Sequence, residues 1–207
     1  MRARKKKWTS PFVGEHPELV LPHIDQNLPF FEYPRLYLEI GIGKGDFILG
    51  MSKKQDGHYL GIEKVVDVLA VAAKKLLDSE SANVLLRLGD FDEVYEEIAG
   101  LRFDAIYLNF SDPWPKKKHG KRRLTEHNRL EKMAKILKDD GSIIIKTDNS
   151  GLYEFSKEEV PLTSLRIVYD NPDYPGDREN DEQSEYERNF RSQGVAIKRL
   201  ILKKGGN

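Results

Sequence analysis

From residue 36 to about 170, short apolar runs alternate with longer amphipathic segments. "LYLEI" (36–40) reads as a buried strand ending at glycines, and residues 46–54 as a helix. "HYLGI" (58–62) is a second strand, and "KVVDVLAVAAKKLLD" behind it has the apolar spacing of a helix. "NVLLRL" (83–88), a short helix near 91–98 and "FDAIYLNF" (103–110) continue the alternation. Residues 125–138 read as a helix with Thr125 and Asn128 as start signals, "GSIIIKT" (141–147) as a strand and 151–159 as a helix. "LRIVYD" (165–170) and "VAIKRLILK" (195–203) close the series as two strands, with residues 171–194 as a polar excursion between them.

Strand–helix alternation predicts an α/β, Rossmann-like fold: a mostly parallel sheet with helices on both faces. Right-handed crossovers then place a ligand at the carboxyl ends of the strands. Ending on two strands points to an antiparallel last strand. A chain of 207 residues suits one domain, here 35–207, preceded by a basic arm and lead-in over 1–34.

Charge changes the picture only through its distribution. The 34 basic and 34 acidic residues cancel, yet basic residues crowd at 2–7 and 116–123, while 170–187 hold eight acids against one arginine. Such a chain presents a dipolar surface able to steer a charged ligand. There is no cysteine, which removes disulfides and thiolate metal sites. The five histidines, His16, His23, His58, His119 and His127, show no metal-ligand spacing, so no metal is expected. No stretch approaches the ~18 apolar residues of a membrane span and the N-terminus lacks an apolar signal region, so a cytoplasmic protein without membrane contact is expected.

The candidate chemistry gathers at strand ends. "EIGIGKGDF" (39–47) sets Gly41, Gly43 and Gly45 between a strand and a helix, letting the backbone approach a ligand. Asp46 stands where a dinucleotide fingerprint has its last glycine, and Glu39 ahead of the loop suits a cationic ligand better than a pyrophosphate. S-adenosylmethionine carries a sulfonium and an amino group; NAD carries two phosphates. Glu63 ends the second strand, where an acid can accept ribose hydroxyls, and Asp90 ends the third, within reach of an adenine amine. Each has a plain alternative, a tight turn for the glycines and a helix cap for a lone acid. Three acids at successive strand ends beside one loop favour a nucleoside-type cofactor.

Asp112 follows the fourth strand in "NFSDPWPKKKHGKRR" (109–123), in a loop stiffened by Pro113 and Pro115, with Trp114 as a stacking face or a core residue. Lys116, Lys117, Lys118, Lys121, Arg122 and Arg123 come next. A charge run is usually a solvated face, but this one leaves the active edge of the sheet within a stiff loop. That placement favours salt-dependent nucleic-acid binding, to which the N-terminal arm adds.

Taken in order, "LEIGIGKG", "GIE", "NFSDPWPKKKHGKRRL", "IKTDN" and "SEYE" resemble the single-subunit bacterial tRNA (guanine-N7-)-methyltransferase family nearly end to end, and "MRARKKKW" is similar to its start. The resemblance implies a Class I methyltransferase fold of seven strands with an antiparallel last strand. It further implies S-adenosylmethionine as cofactor, tRNA as partner, and methylation of N7 of a guanine at tRNA position 46, in the variable loop. It implies cofactor contacts at Glu39, Glu63, Asp90 and Asp112, and substrate contacts at Lys116, Asp148, Ser184, Tyr186 and Glu187. RNA would lie along 118–123, with Lys118, Lys121, Arg122 and Arg123. Ser184 departs from the family's usual threonine: the hydroxyl is kept and the methyl lost.

Guanine N7 has an in-plane lone pair and no proton, so it attacks a methyl group without a general base, and no activated nucleophile is needed. Asp112 would stabilise the charge as it moves, and Glu187 could accept the paired N1–H and amino donors of guanine. An amino-group methyltransferase is the nearest rival, opposed by tryptophan at the second proline position of its Asp/Asn-Pro-Pro-aromatic motif. A NAD-dependent oxidoreductase and a non-catalytic RNA-binding module stand further off. Monomer and homodimer are both left open.

Overall fold

The computed structural model describes residues 7–177 and 179–205; residues 2–6 of the basic arm and Arg178 lie outside it, as does the Lys117 side chain. Strands β1 (Val20–Leu21), β2 (Leu36–Ile40), β3 (His58–Glu63), β4 (Val84–Leu88), β5 (Phe103–Asn109), β6 (Leu137–Thr147), β7 (Leu165–Asn171) and β8 (Lys198–Lys204) form one sheet in the order β1-β4-β3-β2-β5-β6-β8-β7. Every adjoining pair is parallel except those made by β8, which runs antiparallel to both β6 and β7. The order reverses between β2 and β5, so the carboxyl ends of these two strands flank the switch point where doubly wound sheets hold ligands.

The helices are α1 (Thr9–Glu15), α2 (Asp46–Lys54), α3 (Val66–Asp78), α4 (Phe91–Ile98), α5 (His127–Lys135), α6 (Ser150–Glu159) and α7 (Glu185–Ser192). Strand β2 is buried at all five positions, as expected of a central strand covered on both faces. Two apolar cores result, one containing Leu38, Phe91, Ile106 and Met133, the other Tyr37, Phe47, Leu69 and Leu86. Gly45 shows why α2 and α3 can lie close: at φ 78° it sits in the left-handed region, and a Cβ there would come within 2.8 Å of the Ala72 Cβ. No helix among the described residues is long and apolar enough to cross a membrane.

Three differences from the sequence reading have physical causes. The sheet has eight strands rather than seven because the lead-in contributes β1, two residues paired with Leu86 and Arg87. The helix expected over 125–138 is shorter, since Leu137 already pairs with Phe103, so Leu137 and Lys138 belong to β6. Its cap is neither Thr125 nor Asn128 but Glu126, whose carboxylate accepts from the Asn128 amide. The polar excursion is not all loop, because α7 lies within it. "SEYE" carries the signal, a serine three residues before a glutamate, and the Ser184 hydroxyl accepts the Glu187 amide at 3.1 Å.

Candidate active site

A cavity of about 360 Å³ opens at the switch point, between the glycine loop, the ends of β3 and β4, the 110–114 loop and the start of α7. That volume lies in the range of small-molecule sites. Glu39, Gly41, Gly43, Glu63, Asp90, Asp112, Ser184 and Tyr186, eight of the residues singled out from the sequence, line it together. Arg122 lines it too.

Glu39 forms part of the floor at 3% exposure. Asn109 Nδ2 donates to Glu39 Oε1 at 3.0 Å, while Glu39 Oε2 and Asn109 Oδ1 are buried without a hydrogen-bond partner. Burial pushes the Glu39 carboxyl up to about 8, against the pull of Asn109 and Lys146 and with help from nearby Glu63. A carboxyl in that state gains from a cation. Glu63 holds the loop from below: its Oε2 accepts the Gly43 amide at 3.1 Å and its Oε1 the Val65 amide at 2.9 Å. Asp90 both lines the cavity and caps α4, its Oδ1 accepting the Asp92 amide at 3.1 Å, so capping does not take this acid out of the cavity.

The 110–114 loop is strained as well as stiff. Phe110 and Trp114 adopt φ of 54° and 41°, a region unfavourable for side chains of their size. Two contacts hold the strain. Phe110 stacks on Phe190 of α7 at 5.8 Å, and Arg123 donates to the carbonyls of Pro113 (2.8 Å) and Trp114 (3.1 Å) while lying over the Phe155 ring. Arg123 is therefore committed to the loop, whereas Arg122 lies over the Trp114 ring at the cavity wall. Lys116, Lys118 and Lys121 are exposed. Asp112 is exposed at the cavity mouth and accepts from Lys64 at 2.9 Å, which raises the Lys64 ammonium above its usual range.

Glu187 lies outside the cavity lining. It is fully buried, with Oε2 accepting from Lys146 at 2.8 Å and Oε1 from Arg191. Both oxygens are engaged and neither reaches the cavity, so in this arrangement it presents no acceptor pair to a base edge. Lys146, itself fully buried, also donates to both Asp181 oxygens and to the Glu182 carbonyl. Together with Lys44–Glu185 (2.8 Å) and Arg188–Asp46 (2.6 Å), this cluster fastens α7 across the glycine loop. Lys116 and Asp148 also lie outside the lining, and the Asp148 carbonyl accepts from Lys198.

Sequence reasoning missed Asn109, Lys64 and Lys146. Only Lys146 left a signal, a lysine in the otherwise apolar run "SIIIKT" that needed buried acids to meet it. Among the described residues one histidine–acid group, Glu126, His127 and Glu159, brings its ligand-type atoms within 4.8 Å of one another. Its acids are in use at the start of α5, where Glu126 accepts from Asn128 and Glu159 from the His127 amide.

Comparison with known proteins agrees with this architecture. A methyltransferase family model ("Putative methyltransferase") matches residues 34–200. A tRNA (guanine-N(7)-)-methyltransferase of Limosilactobacillus reuteri is 38% identical over 97% of this chain and 98% of its own, and that of Bacillus subtilis 37% over 96% and 97%. Among solved structures, a 30S ribosomal A1408 methyltransferase from an uncultured bacterium superposes with a TM-score of 0.63, covering 88% of this chain and 95% of that one at 19% identity. That likeness bears on the fold alone, which is the Class I methyltransferase fold that the family resemblance implied. Matched end to end by such relatives, the chain belongs to the tRNA (guanine-N(7)-)-methyltransferase family.

Proposed function

We propose that the protein transfers the methyl group of S-adenosylmethionine to N7 of a guanine at position 46 of tRNA, in the variable loop. The observation that carries this reading is the continuity of one loop: Asp112 at the cavity mouth passes directly into an exposed basic run. The residues present fit the cofactor. The floor offers acceptors rather than donors, with two buried acceptor atoms still unpartnered, which suits a cation bearing N–H groups. Glu39 would face the amino-acid end, Glu63 the ribose, Asp90 the adenine amine through its second oxygen, and Gly41 and Gly43 the close backbone approach. When bound, the cofactor supplies an electrophilic methyl group on a sulfonium.

The protein's own residues then position and stabilise. Guanine N7 carries its own lone pair, so no side chain has to remove a proton. Holding two reactants in line supplies roughly 7–11 kcal/mol in favourable cases. Ser184 and Tyr186 line the cavity together with the 110–114 loop, and Trp114 offers the base a flat face. Asp112 lies where the developing positive charge passes to the base, and its carboxylate stabilises that charge. Glu187 serves this lining from behind, through Lys146 and Arg191. Lys118, Lys121 and Arg122 receive the phosphate backbone, Arg123 shapes the loop, and Lys116 and Asp148 would meet tRNA rather than cofactor.

A tRNA transcript carrying 7-deazaguanine at position 46 tests the reading. It keeps the Watson–Crick edge and lacks the attacking nitrogen. Methyl transfer from labelled cofactor should vanish while tRNA binding persists. Undiminished transfer would move the reaction to another atom or another base.

A further inference from the structure

The cavity floor contains a pair of acceptors that the roles above leave incomplete. Glu39 Oε2 and Asn109 Oδ1 are both buried, on residues 3% and 6% exposed, and neither has a hydrogen-bond partner. An unsatisfied buried acceptor costs on the order of 1–3 kcal/mol, so two in one place ask for an occupant with donors. The two side chains are locked together, since Asn109 Nδ2 donates to Glu39 Oε1 at 3.0 Å. That bond turns an N–H of the amide to the carboxyl and leaves its carbonyl oxygen free. The Ile48 amide, in the first turn of α2, tempers the Glu39 carboxyl without closing a hydrogen bond to Oε2.

We infer that Asn109 is a cofactor-binding residue: its Oδ1 and Glu39 Oε2 form a two-acceptor seat for the amino group of S-adenosylmethionine. The inference rests on the proposed placement of the cofactor's amino-acid end at Glu39. The chemistry selects this group over the others. A sulfonium has no hydrogen to donate and would leave both acceptors unmet. A ribose hydroxyl offers a single donor and no charge, and the ribose already has Glu63. An ammonium brings three donors and a positive charge, which favours the ionised form of the Glu39 carboxyl and so makes its Oε2 an acceptor. Asn109 ends β5, one residue before the strained turn at Phe110, so the same strand end sets both the amino-group seat and the Asp112 loop.

The test is equilibrium binding of three ligands to Asn109→Ala and Glu39→Gln. S-adenosylmethionine and S-adenosylhomocysteine both carry the amino group, whereas 5′-methylthioadenosine keeps adenine, ribose and sulfur without it. Asn109→Ala should weaken the first two alike, by roughly ten- to hundredfold, as for loss of a hydrogen bond to a charged group. It should leave methylthioadenosine within about twofold of wild type, which also shows the pocket intact. Unchanged binding of all three, or an equal loss for all three, overturns the role of Asn109. A loss confined to S-adenosylmethionine overturns it as well, by pointing to the sulfonium. Glu39→Gln separates the premise: if that variant discriminates among the ligands and Asn109→Ala does not, only the Asn109 inference falls. If Glu39→Gln does not discriminate, the placement at Glu39 falls first.

Discussion

Six Lys/Arg fill residues 116–123 and eight Asp/Glu fill 170–187, and the two stretches dispose of their charge differently. Five of the eight acids pair with lysines of the protein. Asp181 and Glu187 meet Lys146, Glu182 meets Lys54 at 2.7 Å, Glu185 meets Lys44 and Asp170 meets Lys157. Among the described residues, Lys116, Lys118, Lys121, Arg122 and Arg123 join no ion pair. Arg122 and Arg123 instead face aromatic rings, and Arg123 binds carbonyls. An acidic stretch beside a proposed RNA site looks repulsive in sequence; folded, much of its charge is already neutralised by lysines. What a run of charge means depends on whether its counterions belong to the protein or arrive with the ligand.

The largest test of this contrast is Lys146→Met. It leaves Asp181 buried without a cation and Glu187 with Arg191 alone, and breaking such a cluster costs about 3–5 kcal/mol. Thermal unfolding should show the loss, and hydrogen exchange should rise most in α7. Unchanged stability would mean that the acids find other partners.

Lys118, Lys121 and Arg122 changed together to alanine probe the other side. Each phosphate left without its cation lowers the salt slope of tRNA affinity by roughly 0.7–0.9, so the triple change should lower it by about 2, with little change in unfolding temperature. An unaltered slope would make the run a solvated face.

Glu39 sharpens the comparison as a buried acid with no lysine bonded to it. Its folded-state pKa of about 8 lies above the unfolded value, so the uncharged form favours folding at low pH and that contribution is lost as pH rises through 8. Glu39→Gln should therefore make the cofactor-free protein more stable than wild type at pH 9, with the gain shrinking as pH falls below 8 and vanishing below pH 4.5. A constant difference at all pH values would remove the carboxyl as its source.

The smallest effect belongs to Glu185→Gln. Its pair with Lys44 is about half exposed on both sides, and such pairs contribute about 0–1 kcal/mol. A larger loss would show that α7 depends on its rim and not only on Lys146.

The sheet was legible because its strands are apolar runs bounded by glycine or polar turns; α2 and α4 fall where the pattern put them. Helix α7 was hidden because it has no apolar stripe. Charged residues that pair with other elements hold it, and a linear pattern cannot display those partners. The acids of the site were legible by position at strand ends. Glu187 was not, because a buried acid and a ligand-facing acid look alike until Lys146 and Arg191 are found beside it. Asn109 was silent for a related reason: an amide at a strand end announces nothing until its carboxyl neighbour and its empty oxygen are seen.

Gly45 and Ala72 carry a consequence for how this sequence can change. They are far apart in the chain but act as one mutational site, since a Cβ at 45 falls 2.8 Å from the Ala72 Cβ and 3.3 Å from its Cα. Shrinking residue 72 to glycine would remove the first clash, leave the second, and do nothing for a backbone at φ 78°. A side chain at position 45 therefore has no simple suppressor at its neighbour, and recovery of a damaged protein should run through reversion at 45 itself.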